Sequence, residues 1–260
     1  MTESSLYRMN LAVIALATFV LLVVAAEVAH WWGRRTRAKF PNDSESMLEL
    51  IPTTILGLLA LLIGFTFSMS ISRFDTRKQL VNEEANAIGT AYLRTDVLPE
   101  PFKQKSRQLL QQYLAERLEF FEQVREESSR TEYLRRISAT QDQLWQLAIE
   151  NAKTDRTAVS SLYLQSLNEM IDLDAKRLFA TRDQVPDAVY FTLTIFAVFG
   201  LASLSRLLGW YGRSHRSLVM LALLFTIVIA LIQDLDRPGR GLIRVNTSSL
   251  QDLSARLAGA

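Results

Sequence analysis

Cysteine is missing altogether, and histidine occurs only at His30 and His215 in a chain of 260 residues. The first absence removes disulfides, thiolate nucleophiles and thiolate metal ligands, and leaves the compartment open. The second removes the Glu-x-x-His pairs of a di-iron helix bundle and the usual zinc spacings. Charge of one sign is scarce as well: the formal net charge is +2 and no basic stripe is interleaved with aromatics, so no nucleic-acid partner is expected. Phosphate loops, nucleophile elbows, internal repeats and sheet-like runs are absent too, so neither an enzyme nor a cofactor is expected.

What the chain lacks locally is more informative. Residues 11–32, 50–72, 189–205 and 218–233 are nearly free of charge. About 17 to 25 mainly apolar residues cross the hydrocarbon core of a bilayer, and these windows read as four spans, the last two borrowing interfacial residues. The first is too long for the apolar region of a secretory signal, follows a tail with one cation, Arg8, and ends in Trp31 and Trp32, which suit an interfacial belt. It is therefore expected to be retained. Glu27 and His30, near its end, suit an interface as well.

Proline is also sparse, and none lies between Pro52 and Pro99. The second span is therefore expected to run on as one helix through Arg73, Arg77 and Glu83 to about Arg94. It stops at Pro99 and Pro101, because a residue before proline is pushed out of helical geometry. A second helix is predicted over 101–127 from Leu109, Leu110, Tyr113, Leu118, Phe120 and Phe121 at near-helical spacing. A capping box at Ser129 and Glu132 opens a third, and Thr154 with Asp155 opens a fourth that runs to about Arg182.

Pro186 marks re-entry into the membrane, and Gly209 to Gly212 turns the chain between the last two spans. A turn at Pro41-Asn42-Asp43 joins the first two. The resulting organisation is a tail (1–10), two spans (11–72), a soluble helical domain (73–186), two spans (187–233) and a turn-rich tail (234–260). The expected fold is all-α: four transmembrane helices, with a cytosolic four-helix domain inserted between spans 2 and 3. Spans 2 and 3 are expected to be continuous with the first and last helices of that domain.

The short loops carry Arg34, Arg35, Arg37, Lys39, Arg206, Arg213 and Arg216. The opposite side carries Arg8, Arg237, Arg240 and Arg244, together with Arg73, Arg77, Lys78, Lys176, Arg177 and Arg182 beside the domain. Cations within about 15 to 20 residues of a span end set orientation, which leans the domain to the cytoplasmic side of a bacterial inner membrane.

Leu62-Ile-Gly-Phe65, followed by Arg73-Phe74-Asp75 and Arg77, resembles the second transmembrane helix of bestrophins, where Leu-Gly-Phe precedes Arg-Trp-Trp and a second arginine. The pieces at 83–94, 167–172 and 234–245 resemble a bacterial group of membrane proteins, the bestrophin-like domain family, over about residues 50–253. Bestrophins are pentameric anion channels whose second helices line a pore narrowed by apolar rings one turn apart. The resemblance implies a homo-oligomer, a pentamer by analogy, that sits in a lipid bilayer and passes small anions such as chloride. On this sequence Leu61 and Phe65 match the ring spacing. Gly57, one turn further, cannot form an apolar collar, and no acidic run resembles the calcium clasp of the animal channels.

Residues 57, 61, 65, 68 and 72 share one helix face as Gly, Leu, Phe, Ser and Ser. Leu61, Phe65, Ser68 and Ser72 are thus candidate pore or constriction residues, with Arg73 and Arg77 as cations at the mouth. The same pattern also fits bundle core or lipid contact, with Arg73 snorkelling to the interface. A non-conducting membrane scaffold or sensor is the alternative function.

Glu83, Glu84 and Asn86 on the first soluble helix, and Asn168, Glu169 and Asp172 on the last, could face one another as a polar network or an oxygen-lined cation site. A solvated polar face is the alternative, and the identity of any metal stays open. Asp234 and Asp236 are expected to pair with Arg237 and Arg240 and hold the tail.

Overall fold

The computed structural model describes residues 9–39, 50–123, 127–155, 157–214, 216–237 and 241–259. Among these residues the secondary structure is entirely helical: α1 (Leu11–Lys39), α2 (Leu50–Arg94), α3 (Phe102–Gln123), α4 (Glu127–Thr154), α5 (Ala158–Arg182), α6 (Asp187–Trp210), α7 (Arg216–Asp236) and α8 (Ser248–Ala258). Four helical stretches are long and apolar enough to cross a membrane: α1, α2, the 158–210 stretch that ends in α6, and α7. The chain divides into two compact units: residues 1–73 with 184–237 and 241–243, and residues 74–183 with 238–240 and 244–260.

α2 is a single helix of 45 residues, as the missing prolines allow. The continuity expected of the third span with the preceding helix does not hold. Asp183 leaves helical geometry at φ −79° and ψ 100°, and Pro186, at ψ 140°, stands just before α6. Proline disfavours helix in the residue before it and has no N–H for the ladder, so the chain must restart at Asp187.

The first unit packs Leu22 and Ala26 of α1, Leu59 of α2, Leu193, Ala197 and Leu201 of α6, and Leu218, Ala222 and Ile229 of α7. α1 and α6 approach backbone to backbone. A Cβ at Gly33 would run into the Arg206 carbonyl oxygen, and one at Gly209 into that of His30. Small residues permit such crossings between apolar helices, where packing rather than hydrophobic contrast drives association. The Ser205 hydroxyl donates to the Ala26 carbonyl at 2.6 Å, and the Arg37 guanidinium donates to the Trp210 carbonyl at 2.8 Å. Gly212 follows with φ +68°, the left-handed conformation that ends this helix and favours glycine.

The second unit buries Ile88, Ala91 and Tyr92 of α2, Leu110, Tyr113 and Leu114 of α3, Ile137 and Leu144 of α4, and Tyr163, Leu167 and Met170 of α5. It is not a four-helix unit, because α8 joins the same core through Leu250, Leu253 and Leu257. The Gln111 amide of α3 donates to the Leu257 carbonyl at 3.0 Å. The segment expected to be a turn-rich tail thus supplies a core helix, because its leucines recur three and four residues apart.

Two expected helix starts also shift. α4 begins at Glu127, so Ser129 is a helical residue rather than a cap; the side chains of 122–129 lie outside the described atoms. α5 begins at Ala158, after Thr157, and Thr154 closes α4 instead of opening α5. The Asp155 carboxylate then accepts from the Thr157 hydroxyl at 3.1 Å and the Ser160 hydroxyl at 3.4 Å at this corner. The Pro41 to Asp43 turn, His215 and Arg240 fall outside the described residues.

Candidate functional site

One face of α2 is left unused by the first unit's own packing. Leu61 is 55% and Phe65 66% exposed, and Gly57, Ser68 and Ser72 are exposed on the same side. A Cβ at Gly57 or Gly64 would meet nothing within 4 Å. The opposite face carries Leu59 and Thr66, both buried, and the Thr66 hydroxyl is returned to the Leu62 carbonyl at 2.7 Å. The helix therefore separates an internal face from an exposed one that changes from apolar to hydroxyl-bearing along its length.

The two arginines beyond this face differ in placement. Arg73 is half-buried and stands 3.7 Å from the Asp236 carboxylate. Arg77 is only 3% exposed.

The aspartates that end α7 serve backbone amides. Asp236 accepts from the Val185 N–H at 2.8 Å and the Tyr190 hydroxyl at 3.3 Å. Asp234 accepts from the N–H groups of Leu242 and Ile243, each at 2.8 Å. These carboxylate-to-amide bonds hold the start of the tail, and Arg240, one of the arginines expected to pair there, lies outside the described residues. Arg237 donates to the Met9 carbonyl at 2.8 Å. Charge-assisted bonds of this kind are roughly twice as strong as neutral ones, and a single carboxylate can satisfy two amides that have left helical pairing.

In the second unit, the six polar residues expected to face one another are dispersed. Glu83 accepts from Gln79 at 2.7 Å on the unit's surface, and Asn86 is exposed. Asn168 donates to Asp172 at 3.1 Å along the exposed face of α5, and Glu169 is exposed beside them. Glu84 alone turns fully inward. No group of three His, Asp or Glu residues placed to hold a metal ion occurs among the described residues.

Glu84 instead anchors a buried ion network formed with α3 and α5. Arg117, with a fully buried side chain, grips it through Nε at 2.7 Å and Nη2 at 3.0 Å, and its Nη1 reaches Asp174 at 3.1 Å. Arg177 lies 3.3 Å from Glu84 and 3.3 Å from Asp174. The Tyr113 hydroxyl donates to Glu84 at 3.0 Å, and the Gln141 amide donates to Asp174 at 3.0 Å. Phe120 and Phe121, edge to face at 6.0 Å, lie within 4.9 to 5.8 Å of both guanidiniums.

Two acids thus meet two arginines. Burial pushes the Asp174 carboxyl up, against the pull of Arg117. Burial also opposes the charge on Arg117, yet Glu84, Tyr113 and Asp174 outweigh it, so its guanidinium holds its proton more tightly than usual. Burial and the Glu84 charge raise the Tyr113 hydroxyl well above its ordinary value. With its acids already paired to arginine, this network is a packing element and not an open ligand site.

Solved structures give the same arrangement of helices. A bacterial bestrophin homologue from Klebsiella pneumoniae is 14% identical, with a TM-score of 0.65 over 96% of this chain and 98% of that one. A variant of a Klebsiella pneumoniae homologue with an isoleucine-to-threonine mutation is 16% identical, with a TM-score of 0.64 over 96% of this chain and all of that one. At such identities the likeness is one of fold. No curated protein matches the chain significantly. With four membrane-crossing stretches, and a match of residues 14–250 to the model of the Bestrophin-like domain, this integral membrane protein belongs to the Bestrophin-like family.

Proposed function

We propose that the protein is a homo-oligomeric channel for small anions, chloride among them, with α2 around a central axis. The observation that carries this reading is the exposed face of α2, where Leu61 and Phe65 stand one turn apart and Ser68 and Ser72 follow. In a ring of chains such residues would form an apolar constriction that gates by dewetting, followed by hydroxyls able to replace part of an anion's hydration. Arg73 near the end of this face would raise the local anion concentration. Family membership supports a channel, and a pentamer rests on that likeness alone.

In this arrangement residues 74–183, inserted between the second and third spans, form with α8 a water-exposed domain on the cytoplasmic side of a bacterial inner membrane. Arg73 has the better claim to the mouth, because Arg77 is buried. That burial is also what favours the second reading, a non-conducting scaffold or sensor.

Purified oligomer reconstituted in liposomes is expected to pass chloride, and Phe65→Glu is expected to abolish the flux by placing a ring of negative charge at the narrowest point. A folded wild-type oligomer without flux would sink the channel. An even-numbered assembly with residues 57–72 facing lipid would support the scaffold.

A further inference from the structure

The most exposed large apolar side chain among the described residues is Leu242, at 91%, and it does not sit on a loose tail. Its N–H and that of Ile243 both end on the Asp234 carboxylate. A Cβ at Gly241 would stand 2.7 Å from the same carboxylate and 2.9 Å from the Asp234 carbonyl oxygen. Residues 241–243 belong to the first unit and fold back against the last turn of α7.

α7 fixes the depth of this loop. Its 21 residues rise about 31 Å at 1.5 Å each, close to the roughly 30 Å of a hydrocarbon core, so Asp234 and Asp236 stand at one boundary of the bilayer. The same helix fixes direction. Leu224, Ile227 and Leu231 form an exposed apolar stripe along it, and Asp234 follows within about 20° of Ile227 around the axis. A bare acid there would break the stripe. Asp234 is buried instead, covered by the loop it binds, and that loop carries Leu242 on this side of α7.

Lipid is the occupant this surface fits. Contacts between apolar helices in a bilayer use small residues or polar side chains, as Gly33, Gly209 and Ser205 do between α1 and α6. The stripe from Leu224 through Ile227 and Leu231 to Leu242 offers neither. Of the charges beside the loop, Asp234 and Asp236 are buried in bonds to backbone amides, and Arg237, Arg240 and Arg244 suit a boundary from which long cationic side chains reach the headgroups. We infer that Leu242 is an interfacial anchor, seated among the acyl chains of the leaflet where α7 ends and held there by the Asp234 clip. The inference does not depend on conduction.

Because the chain has no cysteine, Leu242→Cys gives a single labelling site. The spin-labelled full chain in phosphatidylcholine vesicles is measured by power-saturation electron paramagnetic resonance against oxygen, which concentrates in lipid, and a nickel chelate, which stays in water. Spin-labelled phosphatidylcholine serves as the lipid reference, and Arg135→Cys, on the exposed side of α4, as the aqueous one. The oxygen-to-nickel access ratio at 242 is expected to exceed that at 135 several-fold, and Asp234→Ala in the Leu242→Cys background is expected to lower it by releasing the loop. A ratio at 242 equal to that at 135 would overturn the anchor by placing the side chain in water. So would low access to both reagents, because a second copy would then cover it. An unchanged ratio in a folded Asp234→Ala protein would overturn the clip. Position 242 packs against nothing that a label would displace, so its own ratio decides the anchor even if Asp234→Ala fails to fold.

Discussion

Glu84, Arg117 and Arg177 interrupt apolar stripes at the positions where those stripes face inward. Glu84 falls between Val81 and Ile88, Arg117 follows Leu110, Tyr113 and Leu114, and Arg177 follows Met170 and Leu173, all buried. A charged residue in such a register must find a partner, since leaving one buried charge alone costs about 3 to 5 kcal/mol. Arg117→Leu is therefore expected to destabilise the second unit by about that amount, because Glu84 would keep only Arg177 as a close cation. A lower thermal midpoint by circular dichroism, with Arg135→Leu as an exposed control, measures it. The phenols give a second prediction. Burial pushes Tyr163 up to about 12 and raises Tyr113 as well, whereas an unfolded tyrosine ionises near 10. The folded unit thus holds protons that the unfolded chain has released. Its stability is full below about pH 10 and falls as pH rises toward 12. Denaturation midpoints across that window, alongside ultraviolet titration of phenolate, check the sign.

Glycines in the helices divide by environment. At Gly33 and Gly209 another backbone occupies the space a Cβ would need, whereas Gly57 and Gly64 face open space. Gly33→Leu and Gly209→Leu are expected to separate α1 from α6 and remove most of the monodisperse protein in size-exclusion profiles. Gly57→Ala and Gly64→Ala should leave the fold intact and raise helix stability by about 0.5 to 1 kcal/mol each. Proline and length make α1 and α2 readable in the sequence, whereas the break before Asp187 runs against the continuity expected of the third span, although Pro186 marks its place. The same reading overlooks α8, although Leu250, Leu253 and Leu257 have helical spacing, because Asp234 to Gly241 suggests turns throughout and an eleven-residue helix is marginal without its partner core.

Only 11% of the most apolar window of α1 and 17% of that of α2 is buried within one chain. The rest needs lipid or neighbouring copies, since backbone and apolar side chains of this length are stable in hydrocarbon only as paired or lipid-covered helices. If the exposed face of α2 surrounds an axis, Leu61→Ser should widen and wet the constriction and raise chloride flux several-fold in the same liposomes used for Phe65→Glu. A flux unaffected by residues 57–72 would place conduction, if any, elsewhere.

Composition and spacing alone determined the helical class, the four apolar stretches and the long α2, while particular motifs, Leu62 to Phe65 and Arg73 to Arg77 among them, carried the resemblance that family membership then bore out. They also put Leu61, Phe65, Ser68 and Ser72 on one face, because a single helix fixes its own angular order. Which of two neighbouring carboxylates turned inward was another matter. Glu83 and Glu84 differ by about 100° around α2, and only the arrival of Arg117 and Arg177 from other helices made the second one a buried anchor. The dispersal of Asn168, Glu169 and Asp172 to the surface, the docking of α8, and the capture of backbone amides by Asp234 and Asp236 were likewise decided by tertiary packing. Each depends on contacts between residues far apart in sequence, which local spacing does not encode.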